Sequence, residues 1–461
     1  MLHLVRQILS VVCLAASVHS TAGHYAHDHH HPASSTSDDH FHHAHSDHHD
    51  CIHDKLPPLL PHQQRRLTLH GGDGGGGDGE QQAGVAGGLS GAEHSRRLSS
   101  KAGAAPLRIK WRLVDGATDL TGADGAALEA LITSELMPAA IDFWAAALKV
   151  VPVSGALHYP AFCSSRWNDA GKTCAGVSAA AMCGAVKVPD DLVKGQYHCK
   201  DSSTTGCTTS TPNGIGATDA DLFLLVTAKD TDCSGTTQAY AGSCARDEFG
   251  RPVFGYLNFC KSTLIAKHVK AADANSLWRK SGRVSVARHE LAHVLGFSSG
   301  SFHLFRDEAG NARTPAKRSD STSCGGVHHA SVKTSHSVLN VISSFAERGS
   351  ATCAVDPVGS NADSNCLFKM TSPAVLAKGR EFFGCDTLNG VELENQPTGS
   401  SCQLLGSHWE QRLLRDDLMA STSTSFERYL SPVTLALFAD SGWYVRRRRA
   451  CCLLSVFQSV A

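Results

Sequence analysis

The sequence predicts an α+β fold in which a twisted mixed sheet packs against helices. Strands are predicted at Leu107–Val114, where apolar and polar residues alternate, and at the apolar runs Leu222–Thr227 and Val253–Phe259. Helices are predicted at Ala126–Val150 and Ser285–Phe297, where apolar residues recur at helical spacing. Because 42% of the residues are apolar and 18% are charged, the chain can bury a substantial core.

Proline, glycine and cysteine refine this assignment. Pro138 is expected to interrupt the first helix, and Gly296 suits the end of the second. An irregular Cys-rich segment is expected between Cys163 and Cys207. Beyond a long loop-rich region, further helices are expected near Ser372–Phe383 and Pro432–Ser441.

The N-terminal part has the features of targeting and processing segments. Residues 1–22 are a predicted signal peptide, because Arg6 precedes a short apolar run, Ile8–Ala16, that is followed by small residues. This run is too short to span a bilayer. Residues 23–104 are a predicted propeptide, and eleven of residues 24–50 are histidine. Such a tract cannot build a core, so it is either a weak metal-binding or pH-responsive segment or a solvated spacer.

Two basic pairs in the predicted propeptide are candidate processing sites. Arg65-Arg66 precedes a flexible Gly-rich linker at Gly71–Gly79, and Arg96-Arg97 follows it. Cleavage at either pair would separate the His-rich tract from the folded part, which is expected to begin near Leu107.

Cysteine usage and charge limit the compartment and the partners. Of seventeen cysteines, thirteen lie between Cys163 and Cys402, a density typical of disulfides in an oxidising compartment. Thirteen is odd, so at least one of these thiols is free or pairs outside that span. The signal and the cysteines predict a secreted, extracellular or cell-surface protein. A net charge of −1 provides no global field for nucleic acid, and membrane association stays open although no spanning helix is encoded.

The chemistry is predicted on one helix. His289-Glu290-Leu291-Ala292-His293 has the pattern His-Glu-x-x-His, and residues four apart share a helix face, so both imidazoles can reach one ion. In zinc peptidases with this pattern, the metal lowers the pKa of a bound water to about 7. Glu290 is then expected to take the proton and deliver it to the leaving amine. The alternative is an ordinary helix with two surface histidines.

A catalytic zinc also needs a third protein ligand and an open fourth position. In most metzincins the third ligand is a histidine six residues after the second, in His-x-x-Gly-x-x-His. Here Gly296 stands at the glycine position, but Ser299 stands where that histidine would be. Spacing alone leaves the choice open among His303, His328, His329, His336, His408 and Glu308.

A later segment resembles a known family. Gly406–Ala420 (GSHWEQRLLRDDLMA) resembles the second signature of the leishmanolysin family, in which Ser-His-Trp supplies the third zinc ligand and a methionine follows eleven residues after the histidine. The resemblance implies His408 as that ligand and Met419 as the Met-turn residue, an apolar floor that orients the ligands. The segments Arg246–Cys260, His289–Ser298 and Leu430–Tyr444 are also similar, so the likeness covers about residues 105–445.

The propeptide carries a further similar motif. His49–Asp54 (HDCIHD) resembles the family's pro-segment motif around a single cysteine. The resemblance implies that the Cys51 thiolate blocks the fourth zinc position and keeps the precursor latent until the propeptide is removed. The alternative is that Cys51 forms a disulfide or has no role.

The resemblance implies a metzincin-type catalytic core with two lobes. Residues 105–297 would form the N-terminal lobe with the zinc-binding helix, and residues 298–445 a disulfide-rich C-terminal lobe that brings His408 and Met419. Residues 446–461 are a basic and then apolar tail. Family members usually continue into a further Cys-rich domain, and this sequence is expected to lack that C-terminal extension.

The predicted function is that of a zinc metalloendopeptidase with one catalytic ion, made as a latent precursor. Its protein or peptide substrates would lie extended in the cleft between the lobes and pair with an edge strand. The alternative is a non-catalytic secreted binding or adhesion protein on the same scaffold. Mutation of Glu290 discriminates between the two, because only the enzyme depends on that carboxylate.

Overall fold

The secondary structure is known for residues 66–67, 103–114, 120–168, 173–201, 206–302, 304–313, 339–343, 366–394, 407–421 and 427–447, which a computed structural model describes. The first strands are β1 (Arg66–Leu67), β2 (Ala105–Pro106), β3 (Ile109–Leu113), β4 (Leu148–Val150), β5 (Tyr159–Pro160), β6 (Cys163–Arg166), β7 (Cys174–Val177), β8 (Met182–Cys183) and β9 (Val186–Lys187). The others are β10 (Val193–Lys194), β11 (Tyr197–His198), β12 (Thr208–Thr209), β13 (Leu222–Ala228), β14 (Ala239–Asp247), β15 (Pro252–Phe259), β16 (Leu339–Ser343), β17 (Cys366–Met370), β18 (Val391–Glu392) and β19 (Val445–Arg446).

Helices lie between and after these strands. They are α1 (Gly122–Leu131), α2 (Met137–Ala147), α3 (Lys261–Leu264), α4 (Leu277–Leu295), α5 (Ser299–Phe302), α6 (Pro373–Phe383) and α7 (Pro432–Asp440). Two π-helical turns, Ile132–Leu136 and Ile265–Val269, and one 3₁₀ turn, Asp190–Leu192, complete the set for the described residues. Sheets and helices occur together as the sequence predicts, so the α+β class is confirmed.

The main sheet is mixed and has the strand order β1-β14-β15-β13-β3. Strand β13 is parallel to both β15 and β3, whereas β14 is antiparallel to β15. Both faces of β13 are covered, because Leu222 and Leu224 enter one core cluster and Phe223 and Leu225 enter a second. This double burial explains why the strand is a continuous apolar run.

Strand β14 was not predicted from the sequence. Its residues AYAGSCARD include few of the β-branched and aromatic side chains that mark strands. The small side chains match crowded surroundings, since a Cβ added to Gly242 would lie 3.0 Å from the hydroxyl oxygen of Tyr256 on β15. Tertiary packing rather than local propensity therefore defines this strand.

The first long helix continues past Pro138. Helices α1 and α2 are joined by the π-helical turn Ile132–Leu136, and the backbone N–H of Met137 donates to the carbonyl of Ile132. Proline lacks an N–H, and the wider turn just before it accommodates this loss without ending the helix. The helix ends at Ala147, three residues earlier than predicted, because Leu148–Val150 forms β4.

Helix α4 begins eight residues before its predicted start at Ser285. The side chain of Ser276 caps it by accepting a hydrogen bond from the N–H of Arg279. The added turns are largely polar, so they lack the apolar pattern on which the prediction rested. Arg283 anchors them through a bidentate ion pair with Glu135, which lies in the π-helical turn.

The predicted C-terminal helices are confirmed as α6 and α7. The carboxylate of Asp440, the last residue of α7, accepts hydrogen bonds from the N–H groups of Ala374 and Val375 in the first turn of α6, at 3.1 and 2.9 Å. A carboxylate at a helix N-terminus is favourable, so this contact joins the two helices. Strand β19 then pairs antiparallel with β4, which brings residues 445–446 back to the N-terminal part of the fold.

Four disulfides join described cysteines between residues 163 and 260: Cys163–Cys174, Cys183–Cys244, Cys199–Cys207 and Cys233–Cys260. Cys385 is a free thiol. Cys324, Cys353 and Cys402, which the sequence assigned to a disulfide-rich C-terminal lobe, lie outside the described residues. Across the described part of the chain, no helix combines the length and apolar character needed to cross a bilayer.

Candidate metal centre

Three histidines converge in the interior of the protein. His289 and His293 lie one turn apart on α4, and His408 follows from a segment more than a hundred residues later. One ring nitrogen from each lies within 4.8 Å of the others. The residues are 5%, 1% and 1% exposed, respectively, so the cluster is buried. The sequence-predicted histidines are thus brought together by the fold.

Backbone carbonyls fix the rings of the two helix histidines. Nδ1 of His289 donates to the carbonyl oxygen of Leu418 at 2.6 Å, and Nδ1 of His293 donates to that of Phe297 at 2.7 Å. A carbonyl only accepts, so each Nδ1 carries the proton, and in a neutral ring Nε2 then carries a lone pair. The two Nε2 atoms lie 3.0 Å apart.

This arrangement fits a metal ion. Two lone pairs that face each other at 3.0 Å repel unless a cation lies between or beside them. A third buried imidazole at 5.0 to 5.2 Å between ring centroids completes a donor set of three nitrogens. Three imidazoles with one open position are the ligand set of catalytic zinc. The three histidines therefore fit the zinc ion that the sequence implied.

His408 is held by a short antiparallel pairing. Its carbonyl accepts from the N–H of Glu394 at 2.9 Å, and the N–H of Glu410 donates to the carbonyl of Glu392 at 3.0 Å. Nδ1 of His408 lies 3.1 Å from Oε2 of Glu394. The third ring therefore has a carboxylate partner where the other two have backbone carbonyls.

Ser299 explains how a distant histidine takes the position expected closer to the helix. Ser299 stands where most metzincins have their third histidine, and its N–H donates to the hydroxyl of Ser407 at 3.0 Å. The two hydroxyl oxygens are 3.4 Å apart. The segment that carries His408 thus lies beside Ser299, the position at which most metzincins have their third histidine.

Met419 is fully buried and belongs to the same framework. Its carbonyl accepts from the N–H of Trp409, next to His408, at 2.9 Å. Its own N–H donates to Oδ1 of Asp417 at 2.7 Å. The preceding carbonyl, that of Leu418, orients His289. The turn at Met419 therefore forms hydrogen bonds both to the ring of His289 and to the residue that follows His408.

Asp417 stabilises the turn at Met419 through several buried hydrogen bonds. Its carboxylate also accepts from the N–H of Ser431 at 3.0 Å and from the hydroxyl of Thr434, and that hydroxyl accepts from Nε1 of Trp409 at 2.8 Å. Burial raises the pKa of Asp417 above its usual range, although these hydrogen bonds act in the opposite direction. The buried network connects the turn with the start of α7.

Glu290 is completely buried on α4, directly after His289. Helix α4 ends shortly after the second histidine because Gly296 has a φ of 125°. A Cβ at that glycine would also lie 2.7 Å from the ring of Trp443. Both constraints require glycine, and they allow the chain to turn so that the carbonyl of Phe297 reaches His293.

The other candidate ligands are not at this cluster or are not described. The side chain of Glu308 is 80% exposed and forms an ion pair with Arg313 at 3.0 Å, so its position is that of a surface residue. His303, His328, His329 and His336 lie outside the described residues. Cys51 and the His-rich tract also lie outside them.

Comparison with known proteins supplies the family. The sequence profile of the leishmanolysin family matches residues 128–320 and 329–450, which together are more than half of the chain. This chain belongs to the leishmanolysin family. The match includes all three clustered histidines, Glu290 and Met419, and it confirms the family that the sequence motifs suggested.

Individual relatives agree. A leishmanolysin-like peptidase of Caenorhabditis elegans is 31% identical over 350 residues, which cover 74% of this chain and 48% of that protein. The leishmanolysin-like peptidase of Drosophila pseudoobscura pseudoobscura is 31% identical, with coverage of 78% and 50%. A ciliated left-right organizer metallopeptidase of Mus musculus is 29% identical, with coverage of 64% and 38%. The chain thus spans about half the length of the leishmanolysin-like peptidases that it matches.

Sequence reasoning did not find the residues that support the histidines. Leu418 and Phe297 act through backbone carbonyls, which carry no side-chain signal. Glu394 and Asp417 are two of many carboxylates, and their contacts depend on pairings that only the folded leishmanolysin-family chain creates.

Proposed function

We propose that this leishmanolysin-family chain is a metalloendopeptidase whose single zinc ion is held by His289, His293 and His408. The observation that carries the proposal is the convergence of three buried imidazoles, two of which point Nε2 lone pairs at each other over 3.0 Å. Neutral imidazoles preorganised in this way favour a transition metal over a hard cation such as Mg²⁺ or Ca²⁺.

The chemistry that zinc supplies when bound is Lewis acidity, which polarises a peptide carbonyl and makes water nucleophilic at neutral pH. Glu290 is then the general base that receives the proton of the attacking water and gives it to the leaving amine. The carbonyls of Leu418 and Phe297 keep two rings in the tautomer whose Nε2 is available to a metal. Met419, which is fully buried in the main core cluster, is proposed as the Met-turn residue of this site.

Protein or peptide substrates are proposed to bind as an added strand. Strand β14 is antiparallel to β15, and in the described part of the chain its other edge pairs with only two residues, Arg66 and Leu67. An extended peptide can use the rest of that edge through main-chain hydrogen bonds.

A latent precursor is part of the same proposal. Strand β1, which pairs in parallel with Arg246 and Asp247 of β14, lies within the predicted propeptide. This pairing supports a pro-segment that occupies the sheet edge, while Cys51 is proposed to occupy the fourth metal position. Cleavage at Arg96-Arg97 would separate both segments from the catalytic part of the chain.

Export of the protein is supported by its cysteines. Four disulfides in one lobe are stable in an oxidising environment and rare in the cytosol. We therefore propose a secreted or cell-surface enzyme that is made with the signal at residues 1–22.

The test is a comparison of Glu290→Gln with Glu427→Gln. Glu427 is a matched control, because it contacts the same helix through an exposed ion pair with Arg288. Zinc content and casein hydrolysis of the propeptide-free proteins are measured with and without a zinc chelator. We expect about 10²–10⁴-fold slower hydrolysis for Glu290→Gln with zinc retained, and near wild-type rates for Glu427→Gln. An unchanged rate of hydrolysis in Glu290→Gln would contradict the proposed mechanism. If the wild-type protein hydrolyses no casein, the binding or adhesion alternative is supported.

A further inference from the structure

We infer that Glu394 is a positioning residue that fixes the ring of His408 and strengthens the hold of that ring on the metal. The inference rests on the proposed function, because it concerns the third ligand of the proposed zinc site. Glu394 would then be a second carboxylate, besides Asp417, that supports the proposed metal centre.

The backbone places the two residues together before any side-chain contact is considered. Glu394 N–H donates to the carbonyl of His408, and Leu393 is bridged to Trp409 in antiparallel register. Residues that pair directly in an antiparallel ladder have neighbouring side chains. This pairing therefore keeps the backbone of Glu394 directly opposite that of His408.

The side chains complete the contact inside the protein. Oε2 of Glu394 lies 3.1 Å from Nδ1 of His408, and the two side chains are 12% and 2% exposed. In this shielded setting a carboxylate–imidazole contact is stronger than at the surface. A carboxylate at Nδ1 favours the tautomer with the proton on that nitrogen and so directs the Nε2 lone pair to the opposite side as a metal ligand.

The third ring has a greater need for such a partner than the other two. His289 and His293 project from one helix, so the helix itself fixes their spacing. His408 comes from a segment in which only two flanking residues take part in regular backbone pairing. The orientation of its ring therefore depends more on side-chain contacts. The neighbour Glu392 faces other groups, since its carboxylate lies 2.9 Å from Arg412 and 3.8 Å from Lys369.

The experiment measures the zinc affinity of the full chain after propeptide cleavage, by competition with a chromophoric chelator. The variants are Glu394→Gln, which keeps the shape and one acceptor, Glu394→Ala, and the control Glu392→Gln. We expect Glu394→Ala to bind zinc about 10–100-fold more weakly, Glu394→Gln to fall between it and wild type, and Glu392→Gln to stay within twofold of wild type. Thermal unfolding of each metal-free protein is also recorded, to show whether the variant folds. If Glu394→Ala does not fold, the zinc affinity of Glu394→Gln decides the test.

Two outcomes separate this inference from the proposed function. If His408→Ala loses zinc affinity but both Glu394 variants bind zinc as tightly as wild type, the positioning role is wrong and the zinc site stands. If wild type binds no zinc, or His408→Ala binds it as tightly as wild type, the proposed site is wrong and the inference falls with it. An equal loss in Glu392→Gln would also overturn the inference, because the effect would then be one of local stability.

Discussion

The carbonyl oxygen of Leu418 accepts a hydrogen bond from Nδ1 of His289 at 2.6 Å. The two residues are 129 positions apart, and Leu418 immediately precedes the buried Met419. The turn at Met419 therefore sets the orientation of a histidine on α4, while its own carbonyl binds the N–H of the residue after His408. This turn therefore helps to support two of the three imidazoles, His289 directly and His408 through its neighbour Trp409.

Asp417→Asn is expected to destabilise the protein by about 1–3 kcal/mol at low pH. The carboxyl oxygens of Asp417 accept from Met419, Ser431 and Thr434. A protonated oxygen can still accept a hydrogen bond, whereas the amide nitrogen of asparagine cannot and would face one of these donors. Urea unfolding of the two proteins at pH 4 measures the difference. A matched loss is not expected for Asp416→Asn, which lacks that buried network.

The same variant has a pH dependence with a defined sign. Burial raises the pKa of Asp417 in the folded protein above the unfolded value of about 4, so folding favours the protonated carboxyl. This contribution is fully present below about pH 4 and is lost as the pH rises through the folded pKa. The stability gap between wild type and Asp417→Asn should therefore shrink between pH 4 and pH 8. A gap that widens over this range would contradict the assignment.

Gly255→Ala is expected to destabilise the fold by about 1–3 kcal/mol through overpacking. A Cβ at that position of β15 would lie 2.3 Å from Cγ1 of Val294, the residue after His293, and 2.9 Å from the carbonyl oxygen of Gly242. Gly300→Ala is the control, because its Cβ would find its nearest neighbour at 3.8 Å. Chemical denaturation of both variants checks the prediction, and equal stabilities would show that the helix does not approach the sheet this closely.

Leu67→Pro is expected to raise the peptidase activity of the uncleaved precursor. Leu67 pairs with Asp247 at the sheet edge, and proline removes a backbone donor and disfavours regular pairing. Hydrolysis of a fluorogenic peptide is compared between this precursor and one that carries Gly76→Pro in the Gly-rich linker. Equal activities of the two precursors would mean that strand β1 has no part in latency.

The strongly patterned elements of the fold were predictable, and the weakly patterned ones were not. The apolar run of β13 and the helix with His289 and His293 carry their own signals, because burial on defined faces imposes a period on the sequence. Strand β14 is made of small residues that fit against neighbours, so its sequence has no such period. The first turns of α4 are held by distant contacts and were also missed.

The candidate site shows the same division. Two histidines four apart on a helix are a local pattern, whereas no spacing rule leads from Ser299 to His408. A resemblance to the leishmanolysin family was needed to select that residue, and the contact between Ser299 and Ser407 gives the physical reason for the selection. The supporting carbonyls and Glu394 depend on long-range pairing and could not be found from one sequence.

The most direct measurement is zinc X-ray absorption spectroscopy of the propeptide-free protein and of its His408→Ala variant. We expect one zinc per chain with three imidazole nitrogens at about 2.0–2.1 Å, and a spectrum with one imidazole fewer, or loss of zinc, in the variant. A spectrum that stays the same after His408→Ala, with zinc fully retained, would contradict the claim that three histidines form the metal centre.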